Sequence, residues 1–66
     1  MNLKDLRKLK RISQKQLAVQ SGVTQSYICA LEKGERNNPT IDVVKGLARG
    51  LGVDVSEVMD ALDEAV

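Results

Sequence analysis

The stretch GVTQSYICALEKGERNN, residues 22–38, concentrates the side chains that could carry specific chemistry. Gln25, Ser26 and Tyr27 open an apolar-striped segment, where a plain core helix has no need of polar groups. Catalysis fits this set poorly. The chain has no histidine, its one cysteine is Cys29, and its acidic residues gather mostly on one polar helix near the end. No His/Cys base stands by to activate a nucleophile, and the roughly four Cys or His ligands of a structural zinc are missing. We therefore expect no enzyme, no cofactor and no metal. What remains is hydrogen bonding by amides and hydroxyls, with Lys33 and Arg36 nearby to meet negative charge.

Charge is distributed unevenly. The 66 residues carry a formal net charge of +1. Residues 1–40 hold eight basic and three acidic side chains, whereas residues 41–66 hold two basic and six acidic. Such asymmetry suits a polyanion on one side of the molecule, although two solvated helix faces would look the same. A chain this short buries about 60% of the surface its unfolded form exposes, so a single domain, 1–66, of modest stability is expected. One cysteine makes no internal disulfide. No apolar stretch nears the roughly 18 residues of a membrane span. A reduced, cytoplasmic protein with no membrane or evident small-molecule ligand is the plain expectation.

The elements that must position those polar residues are helical. Leu3, Leu6, Leu9 and Ile12 recur after a possible cap at Asn2, which predicts helix one. Ser13 and Gln16 form a capping box for helix two, with Leu17 and Ala18 inward and Gly22 ending it. Thr24 caps helix three, whose inward pair is Ile28 and Leu31, and Gly34 closes it. Pro39 forbids helix at Asn38. Thr40 then caps helix four, with Ile41, Val44, Leu47, Ala48 and Leu51 inward and Gly52 at its end. Asp54 with Glu57 makes a second capping box, and Val55, Val58, Met59, Leu62 and Val66 stripe helix five. Gly46 and Gly50 lie one turn apart, either letting another backbone approach or standing as tolerated weak spots costing about 1 kcal/mol each. The fold class is all-α, compact, with five helices.

Helices two and three, joined through Gly22, have the sequence form of a helix-turn-helix. Ala18 permits a close crossing, and Leu17, Val23, Ile28 and Leu31 fill the wedge. The pieces SQKQLA, GVTQSYI, LEKGERNNPT and LGVDVSEV occur in the order seen in the lambda-repressor-like, Cro/Xre-type helix-turn-helix family, which the chain resembles over all five helices. Ser21, where an apolar residue is commoner, and the two glycines of helix four depart from that pattern. The resemblance implies a five-helix domain that binds double-stranded DNA as a homodimer on a palindromic operator and regulates transcription, as a repressor.

With Ile28 and Leu31 inward, a step of about 100° per residue turns Ser26, Ala30 and Lys33 outward, with Cys29 near the edge. Gln25 lies in the first turn, from which recognition helices reach base edges. Glutamine pairs with adenine, serine reaches several edges, and alanine meets a thymine methyl. The base-reading positions of the family fall on Gln25, Ser26 and Ala30. Gln14, at the start of helix two, matches the family's phosphate-contacting glutamine and sits where a helix N-terminus attracts anions. Lys33, Arg36, Asn37 and Asn38 occupy the loop with which the family grips the backbone; singly, each could be solvated polar surface. Tyr27 either reaches a phosphate or is a boundary core residue.

The family often pairs an arginine of helix one with a glutamate of helix three, and Arg7 and Glu32 fit a structural ion pair. Cys29 reads as a small, semi-exposed filler rather than a redox thiol. Around helix five a dimer interface is expected from Val55, Val58, Met59, Leu62 and Val66, divided between core and contact in an order the sequence leaves open. A rival function is an antitoxin-like module whose main partner is another protein. That role would survive loss of Gln25 and Lys33, whereas operator binding would not.

Overall fold

Four helices start on a side chain that bonds back to its own backbone. Asn2 Oδ1 accepts from Asp5 N at 2.8 Å and Ser13 Oγ from Gln16 N at 3.0 Å. Thr24 Oγ1 accepts from Tyr27 N at 3.2 Å and Thr40 Oγ1 from Val43 N at 3.3 Å. Gln16 Oε1 takes the Ser13 amide at 2.9 Å, which completes the first capping box. The computed structural model describes residues 1–36 and 38–64. In it these caps open α1 (Leu3–Leu9), α2 (Gln14–Ser21), α3 (Gln25–Glu32) and α4 (Ile41–Leu51). A fifth helix, α5 (Val55–Glu64), begins with the amides of Glu57 and Val58 on the backbone carbonyl of Asp54, at 3.0 and 3.3 Å. Among the described residues there is no strand, and no helix is long and apolar enough to cross a membrane.

α1 is shorter than the predicted helix, which ran on toward Ile12. Arg11 adopts the left-handed backbone, with φ 59°. Its N–H donates to Lys8 O at 3.0 Å and that of Ile12 to Arg7 O at 3.2 Å, the Schellman way of closing a helix. Glycine normally fills that position, because a Cβ there costs roughly 1 kcal/mol. Arg11→Gly is accordingly expected to stabilise the fold by about 1 kcal/mol in urea unfolding.

Of the residues in that three-residue spacing, Leu9 is 62% exposed. Each step of three residues falls about 60° short of a full turn, so Leu9 has rotated about 120° from Leu3. Arg7, four residues after Leu3, stays within about 40° of it and is buried in its place.

Leu3, Leu17, Ile28, Leu31, Leu47 and Val58 form the fully buried centre. α5 lies against both α1 and α4, so the first and last helices cover one another. The Met1 amino group also pairs with Glu64 of α5. Ile41, expected inward, is exposed: it is the first residue of α4, while Val44, Leu47, Ala48 and Leu51 further along the helix are buried. In α5 the inward residues are Val58, Ala61 and Leu62, with Val55 partly buried against them. Val58 and Leu62 are therefore core side chains of the protomer, which puts them on the core side of the division that the sequence left open. Met59 points out, 51% exposed. Val66 lies outside the described residues.

α2 packs most extensively on α4, and the crossing is close enough for backbone to meet backbone. A Cβ on Gly46 would stand 2.6 Å from the carbonyl oxygen of Ser21, and one on Gly50 would stand 2.9 Å from Leu17 Cδ1. The two glycines and Ser21, separate oddities in the sequence, are one contact. Ser21 is buried there, and its Oγ has no hydrogen-bond partner among the described residues.

Candidate nucleic-acid interface

Two local devices aim α3. Gly22 turns the chain at φ 76°, while its N–H bonds Ala18 O at 3.0 Å and ends α2. Open space surrounds the position a Cβ would take, so it is backbone conformation rather than room that demands glycine. Thr24 then caps α3, and Ile28 and Leu31 anchor it in the core.

A second anchor is ionic and ties three elements together. Arg7 Nε donates to Glu32 Oε2 at 2.6 Å and Nη2 to Oε1 at 3.2 Å. Arg7 Nη1 donates to the carbonyl of Ile12 at 2.9 Å, just ahead of α2. Gln14 Nε2, in the first turn of α2, donates to the same Glu32 Oε1 at 3.0 Å. The Arg7 and Glu32 side chains are only 11% and 4% exposed. One carboxylate at the end of α3 thus holds α1 and the start of α2.

Above this anchor lies a shallow depression of about 380 Å³, lined by Gln14, Gln25, Ser26, Cys29, Ala30 and Glu35. The three residues expected to read bases share it, with Gln25 and Ser26 exposed and Ala30 half-buried. Gln14 stands on the same surface. One of its amide hydrogens is taken by Glu32, which leaves the other for an acceptor outside. Cys29 is half-buried at the edge.

Lys33, Arg36 and Asn38 are exposed beyond the end of α3, and Asn37 lies outside the described residues. Tyr27 is half-buried and packs against the core, while the Arg36 guanidinium sits 5.2 Å from its ring centroid. That stacking, worth about 0.5–1 kcal/mol at an exposed site, holds Arg36 against α3. Sequence spacing brought out neither this pair nor Glu35. The one available signal for Glu35 was Gly34, since a glycine-ended helix folds its second following residue back along its last turn.

Residues 3–58 match the family model described as helix-turn-helix. The chain belongs to the helix-turn-helix family. It is 42% identical over 55 residues to the HTH-type transcriptional regulator SlrR of Bacillus subtilis, covering 83% of this chain and 36% of that protein. To the uncharacterized HTH-type transcriptional regulator y4dJ of Sinorhizobium fredii it is 38% identical over 63 residues, covering 96% of this chain and 80% of that one. The immunity repressor protein of Bacillus phage phi105 is 32% identical over 57 residues, covering 86% of this chain and 39% of the repressor. The helix-turn-helix chain therefore spans well under two thirds of two of these three relatives. No solved structure matches it.

Proposed function

We propose that this helix-turn-helix chain, read as one domain, binds double-stranded DNA sequence-specifically as a transcriptional regulator. α3 enters the major groove, and two copies read a palindromic operator to repress transcription in the cytoplasm. The observation that carries the reading is the surface depression shared by Gln25, Ser26 and Ala30, with Gln14 on it and exposed Lys33 and Arg36 following in the chain just after α3. Base contacts from the first three supply specificity, and the basic residues supply affinity for phosphate. No step requires catalysis. In the dimer, exposed Met59 and its neighbour Val55 supply apolar contact, and α5's exposed acidic residues stay away from the DNA. The names of SlrR and the phage repressor agree with this reading.

Binding to a randomised duplex pool tests it, with the enriched site then titrated at several salt concentrations. A palindrome with half-sites about 34 Å apart is expected. Gln25→Ala should relax preference at one base position, whereas Lys33→Ala should weaken all sequences and reduce the salt slope by about one. If no sequence is enriched and binding is weak at every salt, the DNA reading fails, and a protein partner unaffected by both variants takes its place.

A further inference from the structure

Among the described residues lining the recognition depression, Glu35 alone is acidic. A carboxylate is an unexpected group to turn toward a polyanion, and its placement is not loose. Gly34 takes the left-handed conformation at φ 78° and donates to Leu31 O at 3.2 Å. The Glu35 amide then donates to Ala30 O at 3.0 Å. This closure folds the chain back, so that Glu35 stands beside the last turn of α3 and next to a base-reading position. In such closures this residue commonly packs an apolar side chain on the helix. Here it is charged and exposed. Nor is it neutralised: among the described residues the ion pairs are Met1–Glu64 and Arg7–Glu32, and adjacent Arg36 lies over Tyr27 instead.

We infer that Glu35 is a fourth base-reading residue, accepting a hydrogen bond from the exocyclic amine of a cytosine in the major groove. The inference rests on the DNA-binding reading above. An ionised carboxylate only accepts, so phosphates repel it and the N7, O4 and O6 acceptors of the base edges offer it nothing. The donors exposed in the major groove are cytosine N4 and adenine N6, and a carboxylate matches the first. Adenine presents N7 beside its amine and is better served by the donor and acceptor of Gln25. The helix face between them is built of small side chains, Ser26, Cys29 and Ala30, which leaves room for a longer one reaching in from the rim. Repulsion from phosphate adds selectivity, because Glu35 is tolerated only where a base amine compensates it.

The experiment is selection from the same randomised duplex pool with the parent chain, Glu35→Ala and Glu35→Gln, followed by titration of the best site and a scrambled duplex. The parent should select cytosine at one position of each half-site. Glu35→Ala should lose that preference alone, bind the best site about tenfold more weakly and bind scrambled DNA more tightly. Glu35→Gln should shift the same position toward adenine. Because Glu35 is exposed, both variants should unfold at the parent's temperature. The inference is overturned if Glu35→Ala tightens binding to every sequence with all preferences intact, for then the carboxylate only repels phosphate. Enrichment of a parental site with no cytosine-dependent position overturns it too. A parent chain that enriches nothing removes the DNA-binding reading itself, and that is visible before any variant is compared.

Discussion

Replacing Glu32 by alanine is expected to lower the unfolding free energy by about 3–5 kcal/mol. The side chain is 4% exposed and accepts from both Arg7 and Gln14, so its removal leaves a buried guanidinium facing no charge and an amide without its partner. A domain of this size has roughly 3–10 kcal/mol of stability in all. The variant should therefore unfold in part at 25 °C, as seen by far-UV circular dichroism during urea titration. The double variant Arg7→Met, Glu32→Leu is the informative companion. Filling the same volume with apolar groups removes the desolvation cost of both charges and should bring stability back to within about 1–2 kcal/mol of the parent. A Glu32→Ala cost under about 1 kcal/mol would mean that the pair behaves as an exposed one.

The second large effect is expected from Gly46→Ala, which by helix propensity alone should stabilise α4 by about 1 kcal/mol. The new methyl would lie 2.6 Å from Ser21 O, a backbone atom that cannot rotate away. The helices must separate, and overpacking of that kind costs about 1–3 kcal/mol. With the carbonyl fixed we expect a net loss of up to about 2 kcal/mol, at which limit Tm falls by roughly 8–16 °C. Gly50→Ala meets the end of the Leu17 side chain at 2.9 Å and should cost less, because a rotamer can yield where a carbonyl cannot. A Gly46→Ala chain that melts about 4–8 °C above the parent, as helix propensity alone requires, would refute the close crossing.

How much of this was legible depends on how far apart the interacting atoms lie in the chain. The caps at Asn2, Ser13, Thr24 and Thr40 act over three residues, and the glycine ends at Gly22, Gly34 and Gly52 over five or fewer. Helix number and order follow from such local rules, as does the outward set Gln25, Ser26 and Ala30 once Ile28 and Leu31 face in. Arg11 escaped them because its side chain gives no sign of a left-handed backbone. The exchange of Leu9 for Arg7 on the inner face was hidden as well, since burial of that arginine is decided by a glutamate 25 residues away. Gly46 and Gly50 drew attention as helix-weakening residues, but only the structure pairs them with Ser21. Glu35 was hidden for a related reason: charge counting places it in a loop, and it takes the turn at Gly34 to set it beside Ala30.

The contact between α1 and α5 bears on how the chain folds as it is made. Of these five helices α1 leaves the ribosome first, yet α5, which emerges after the other four, helps cover it. Until α5 appears, Leu3 and Leu6 lack that cover, and the central leucines and isoleucine of α2 and α3 sit in an unclosed bundle. An arrest series that lengthens the nascent chain step by step should show protease resistance only once residues through Glu64 have cleared the exit tunnel. The surface that α3 presents is then fixed all at once, at the end of synthesis of this segment.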